Sequence, residues 1–179
     1  MSNNRRLIIV SIVTGFLILA FIIFIVITES RGEQDIPLED NELLLKISAK
    51  LNPFEEGYVE LTNNFNSAIQ TQGEDRLSSL ENIKIEVSSL TDINATLLSD
   101  FPELENLAKT DAEKEFYTEV YTLVQIYEKQ LTKDWPTLIQ IESSSDVEGL
   151  SADGLNYARQ MESERELQVK KLLTLKDQL

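Results

Sequence analysis

The chain has 179 residues, of which 31 are acidic and 16 basic, and it contains neither histidine nor cysteine. Without cysteine there is no disulfide, thiol nucleophile, thiolate metal site or Cys-linked lipid anchor. Without histidine there is no Ser-His-Asp triad, HExxH zinc site or His-ligated haem or di-iron centre. Carboxylate-only catalysis and an oxygen-ligated hard cation remain open, while the acidic excess repels nucleic acid and anionic lipid head groups.

Charge divides the chain in two. Arg5 and Arg6 are the only charged residues among the first 28, and every acid lies beyond them. Residues 1–6 read as a cytoplasmic N-terminus and residues 7–28 as a transmembrane signal-anchor helix. The stretch Leu7 to Ile27 is 21 residues without a charge, and about 20 apolar residues span a bilayer core as a helix. A cleavable signal has a shorter apolar region, roughly 7–15 residues, so the segment is expected to be retained, although Thr28, Glu29 and Ser30 offer small residues near a cleavage point. Arg5 and Arg6 precede the span, whereas Glu29, Glu33, Asp35, Glu39 and Asp40 crowd its far side. The positive-inside rule then places the N-terminus in the cytoplasm and the rest outside the plasma membrane. Ser11 and Gly15 form a small-xxx-small pair that would seat a second transmembrane helix, with indifferent exposure to lipid as the blander reading.

Residues 29–37 are polar, contain Gly32 and end in Pro37, as in a juxtamembrane linker. From residue 38 to 179 the periodicity is helical throughout. Over Leu38 to Gln72, the residues Leu43, Ile47, Leu51, Phe54, Tyr58, Leu61, Phe65 and Ile69 recur every three or four positions. Asn52, Pro53 and Glu55 read as a helix restart, with Glu55 in the first turn. The apolar phase nevertheless continues, which predicts a kinked helix or two nearly collinear ones. Asp75 is placed to cap a second helix with Leu77, Leu80, Ile83, Val87, Leu90, Ile93 and Leu97 inward, broken at Ser99 to Pro102. A short helical piece follows, and Thr110 with Glu113 makes a capping box that opens a helix from Asp111 to Trp135. A further turn from Pro136 ends by Ser143. Ser143 to Gly154 reads as a loop, and a last helix carries Ala158, Met161, Val169, Leu172 and Leu175 inward. The fold expected is all-α: one N-terminal transmembrane helix, then a four- to five-helix up-down bundle over residues 38–179.

Few constellations carry chemistry. The helix from Asp111 to Trp135 has an apolar arc approaching half its circumference, against about 100° for a half-buried helix. Either it is central to the bundle, the first reading, or it offers Tyr117, Tyr121 and Trp135 as a partner surface. Asp146, Glu148, Ser151 and Asp153 gather oxygens in one loop, but Ser stands where a calcium loop needs Gly, and the closing bidentate Glu is missing. Glu162, Arg165, Glu166 and Lys170 read as surface ion pairs. Asn94-Ala95-Thr96 fits a glycosylation acceptor. No phosphate loop or nucleophile elbow occurs.

These observations favour a non-enzymatic, membrane-tethered interaction module with no metal and no cofactor, an accessory or scaffold subunit whose partner is a protein and not nucleic acid. A homo-oligomer is compatible with the same features. The alternative is an extracytoplasmic binding protein holding a small or apolar ligand between its helices. A binder of that kind needs an apolar pocket of roughly 300 Å³ or more, an interaction module a filled core and exposed apolar surface.

Overall fold

The computed structural model describes residues 41–176 together with residue 179. The transmembrane segment at residues 7–28, its candidate packing pair Ser11 and Gly15, and the linker at 29–37 lie outside the described residues. Among the described residues no helix is long and apolar enough to cross a membrane.

All elements among the described residues are helical. Helix α1 spans Glu42–Ala68 and α2 spans Gly73–Asp100. A 3₁₀ helix, Phe101–Leu107, leads to α3, Asp111–Lys129. A π-helical turn, Gln130–Asp134, runs without a break into α4, Trp135–Ser143, and α5 spans Ala152–Lys176. Because α3, the π turn and α4 form one rod, the bundle is built from four long rods.

Pairs across the interfaces give the rod directions. Lys50 meets Asp100, Gly57 lies against Leu90, and Asn64 bonds Glu86, so α1 and α2 run antiparallel. Between α2 and the third rod the pairs are Phe101 with Tyr117, Asn94 with Val124 and Arg76 with Glu142, again antiparallel. Glu119 with Lys171, Gln130 with Met161 and Glu142 with Ser151 set α5 antiparallel to that rod. The arrangement is therefore up-down-up-down, as short connections between amphipathic helices demand.

The buried line of α1 is Leu43, Ile47, Leu51, Phe54, Tyr58, Leu61, Phe65 and Ala68. It passes Pro53 in one continuous helix rather than two. Pro53 removes one backbone donor, and burial of apolar residues on both sides of it holds the helical phase. Glu55 is consequently not a first-turn residue. It sits mid-helix on the inner face and is buried. At the start of α1, Asn41 accepts from the Leu44 amide at 3.2 Å as the N-cap.

Helix α2 corrects the expected stripe at two positions. The buried residues are Arg76, Leu80, Ile83, Val87, Leu90, Asn94 and Leu97, a strict alternation of four and three. Leu77 and Ile93 lie one step off that alternation and are exposed, while Arg76 and Asn94 occupy the inward positions. Nor does Asp75 cap the helix. Gly73, at φ +60°, starts it and leaves Asp75 in the first turn, where a carboxylate meets the positive end of the helix. The capping box at Thr110 and Glu113 forms as the sequence indicates.

The π turn has a local cause. Pro136 has no N–H, and its ring would crowd the carbonyl four residues back. One wider turn relieves that crowding: the Trp135 N–H donates to the Gln130 carbonyl, five residues back. As a result Gln130, Leu131, Asp134 and Trp135 are all buried.

Candidate functional site

Two buried polar junctions stand out in the core formed by the described residues. The first joins α1, the π turn, α4 and α5 around Tyr58. Its donors and acceptors can be ordered by chemistry alone. Trp135 Nε1 is only a donor and gives its proton to the Tyr58 hydroxyl oxygen at 2.9 Å. The Tyr58 hydroxyl donates onward to Gln130 Oε1 at 2.7 Å, and Gln130 Nε2 donates to the Met161 carbonyl at 2.9 Å. The relay is fully buried, where cooperative hydrogen bonds are strongest and an orphaned partner costs most.

Rings pack around this relay. Tyr127 lies 4.9 Å from both Phe54 and Tyr58, and Trp135 lies 5.2 Å edge-on to Phe65. Burial raises the Tyr58 and Tyr127 hydroxyls well above the usual phenol range, so both remain protonated donors.

Beside the rings lie three ionisable residues. Arg165 is buried on α5, bonded to the Glu162 carboxylate and engaged with the Tyr127 hydroxyl. Burial pulls the guanidinium down, but Tyr127, Glu162 and Tyr58 together outweigh it and hold the charge firmly. Glu55 approaches from α1 and is 6% exposed, with its Oε1 lacking any hydrogen-bond partner among the described residues. Burial pushes its carboxyl up to about 8, with Arg165 pulling part of the way back. At neutral pH Glu55 is therefore mostly an uncharged acid. Glu162 is raised as well, again chiefly by burial. Arg165 and Glu162 thus form a partly buried pair rather than the surface pair expected from their charged neighbours.

A cleft of about 40 Å³ opens next to the relay, walled by Phe65, Trp135, Leu138, Leu150, Ala158 and Met161. Thr62, Asn66 and Glu162 supply polar atoms at its edge, and Asn66 Nδ2 has no hydrogen-bond partner among the described residues. This volume matches a few water molecules. A larger recess, about 250 Å³, lies between the π turn and α5, but it is bordered by the charged residues Lys129, Lys133, Asp134 and Glu164 and is largely polar.

The second junction ties the loop before α5 to the start of α2. Arg76 Nη2 bonds the Glu142 carboxylate, its Nε reaches the Glu142 carbonyl at 3.2 Å, and Nη1 donates to the Ile69 and Val147 carbonyls, each at 2.9 Å. Glu142 Oε1 accepts from Ser151 Oγ at 2.7 Å, and Ser151 Oγ accepts from the Gly154 amide at 3.0 Å. Gly154 is required by space, since a Cβ there would lie 1.7 Å from Glu142 Oε1. The loop acids singled out in the sequence, Asp146, Glu148 and Asp153, are exposed, and among the described residues no cluster of acids could hold a metal ion. Glu142, which fastens the loop, carries no such signature.

The three aromatic candidates are placed differently. Trp135 and Tyr117 are buried, the latter donating to the Phe101 carbonyl at 3.2 Å. Tyr121 is half-buried and stacked on Phe101 at 6.1 Å. The wide apolar arc of α3 is accounted for by contacts with several rods at once. Asn94 is 1% exposed and donates to the Val124 carbonyl at 3.3 Å, which leaves no room for a glycan on the folded domain.

The buried charges were hidden because charged residues read as surface by default. One signal was available. Arg165 falls between Met161 and Val169 at four-residue spacing, and Glu55 between Leu51 and Tyr58 beside the apolar line.

These features define an all-α helical bundle with two buried polar junctions. Comparison with family models, curated proteins and solved structures finds no match to this chain.

Proposed function

We propose that this protein is a non-enzymatic interaction module, tethered by its N-terminal apolar segment and presenting the helical bundle to a protein partner outside the cytoplasm. The observation that carries this reading is the filled interior. The apolar cleft beside Trp135 holds about 40 Å³, far below the roughly 300 Å³ that a ligand held between helices requires. Large apolar side chains remain at the surface instead: Leu45, Leu77, Ile85, Ile93, Val147 and Leu167 are all exposed. Single exposed apolar residues are ordinary, so their role is to supply contact area within a polar surface that is otherwise acidic. Of the aromatic candidates, Tyr121 alone keeps accessible surface and so stays a candidate contact. Tethering and orientation rest on the sequence, namely the uncharged run Leu7 to Ile27 preceded by Arg5 and Arg6.

Photo-crosslinking in intact membranes, with the reactive group at Tyr121 or Leu167, tests this reading. The expected result is one dominant protein adduct whose yield falls when the neighbouring exposed residue is changed to Glu. A small molecule co-purifying stoichiometrically with the chain, and no protein adduct, would transfer the assignment to the ligand-binding alternative. Protease added outside cells stripped of their wall should digest the bundle. Full protection until lysis reverses the orientation.

A further inference from the structure

The chain lacks the one side chain that ordinarily titrates near neutral pH, since it has no histidine. Any side-chain response to pH in that range must come from a group whose surroundings displace it. The Tyr58 junction contains such a group in a position to move a helix. Glu55 is almost fully buried, one of its oxygens has no hydrogen-bond partner among the described residues, and Arg165 acts on it across the core from α5.

We propose that Glu55 and Glu162 compete for Arg165, and that protonation of Glu55 is what keeps α5 docked against the rest of the bundle.

The neighbours of Glu55 support this assignment. Arg165 of α5 and Tyr127 of α3 act on Glu55 directly, while Glu162 of α5 and Tyr58 of α1 join the cluster through Arg165. Asp134 of the π turn reaches the cluster through its effect on Tyr58. Where α1 and α2 meet at this level, α2 contributes Leu90, which lies over Gly57 and does not titrate. Among the described residues Arg165 is thus the cation that acts on Glu55, and Glu162 and Tyr127 already engage it. While Glu55 holds its proton, Arg165 bonds Glu162. Loss of the proton leaves a buried carboxylate, which must draw Arg165 from Glu162 or admit water. Either change strains the Arg165 turn of α5, one turn from the Met161 carbonyl that receives the Gln130 hydrogen bond.

Burial depth identifies α5 as the rod that gives way. Its inward residues Met161, Val169, Leu172 and Leu175 are each 8–9% exposed, against 0–6% for the buried apolar residues of α1. Shallower packing makes α5 the cheaper element to loosen.

The protein's single tryptophan is Trp135, a member of the relay, and so reports on the junction without a label. The test titrates the full chain in detergent from pH 6 to 9.5, following Trp135 emission and hydrogen exchange of the α5 amides in the parent and in Glu55→Gln. The parent should show a transition with a midpoint near 8, with the α5 amides exchanging at least tenfold faster above it than α1 amides do. Glu55→Gln should keep the low-pH emission and slow α5 exchange throughout. A parent with no transition, or the same transition in Glu55→Gln, overturns the proposal. Should Glu55→Gln fail to fold, carbon-detected NMR of the Glu55 carboxyl in the parent decides. Titration below pH 6 refutes the mechanism, and titration near 8 coincident with the α5 change supports it.

Discussion

Tyr117 and Tyr121 show how two neighbouring tyrosines on one helix divide their tasks. Tyr117 is 6% exposed and hydrogen-bonded to the Phe101 carbonyl, so Tyr117→Ala removes a buried ring and its hydrogen bond to that carbonyl. A loss of about 3–5 kcal/mol is expected, as for other buried aromatics. Tyr121 is half-buried, and Tyr121→Ala should cost clearly less. Thermal melts of the two variants check the order, and equal losses would remove Tyr121 as a candidate contact. Arg76 offers a different test, because its partner Glu142 is fully buried. Arg76→Met leaves that carboxylate uncompensated and should cost about 3–5 kcal/mol. The double variant Arg76→Met, Glu142→Leu should recover much of the loss in denaturant titrations. If instead the two losses add, the pair is not coupled as the geometry requires.

At the scale of elements, the bundle uses strong local signals where tertiary contacts are few. Helix α3 begins with a complete capping box: Thr110 Oγ1 accepts from the Glu113 amide at 3.1 Å, and Glu113 Oε2 accepts from the Thr110 amide at 2.8 Å. Thr110 is exposed, so Thr110→Ala isolates the cap from packing and should cost about 1 kcal/mol, measured by denaturant midpoint with an unchanged slope. The π turn is the opposite case, an element defined by tertiary demands. Pro136 calls for a wider turn, and Gln130, Asp134 and Trp135 use it to reach Tyr58, Tyr157 and Met161.

For the whole molecule, Glu55 sets the pH dependence of stability between the titration ranges of ordinary carboxylates and of tyrosines. Its carboxyl titrates at about 8 when folded against 4.5 as the reference. Below 4.5 both states hold the proton and no difference arises. Between 4.5 and about 8 the folded state keeps a proton that the unfolded state releases, so stability falls as pH rises. At 1.36 kcal/mol per unit the fall amounts to up to about 5 kcal/mol. Glu42, Glu113 and Glu119 are shifted downward by their partners, so their contributions are lost below the usual carboxylate range, whereas Glu162, raised chiefly by burial, adds a decline of the same sign above it. Urea midpoints measured from pH 5 to 8.5 should decline for the parent and clearly less for Glu55→Gln, in which Glu162 is the raised carboxyl that remains. A level parent curve would mean that Glu55 is already charged in the folded state.

The sequence by itself determined that the described chain is all-α, that a helix opens at Asp111 behind a capping box, and which line of α1 faces inward. Those properties follow from local periodicity and capping, in which each residue is judged against neighbours three or four positions away. The absence of histidine and cysteine likewise needed no structure to exclude whole classes of chemistry. Only the tertiary structure decided that Arg76 and Asn94, not Leu77 and Ile93, turn inward on α2, and that Glu55, Glu142 and Arg165 are core residues. Burying a charge is unfavourable unless a partner from another element meets it. Glu142 waits for Arg76, 66 residues away, and Gln130 for Tyr58, 72 residues away. Such a partner is set by how the rods pack, and no local pattern along the chain encodes it.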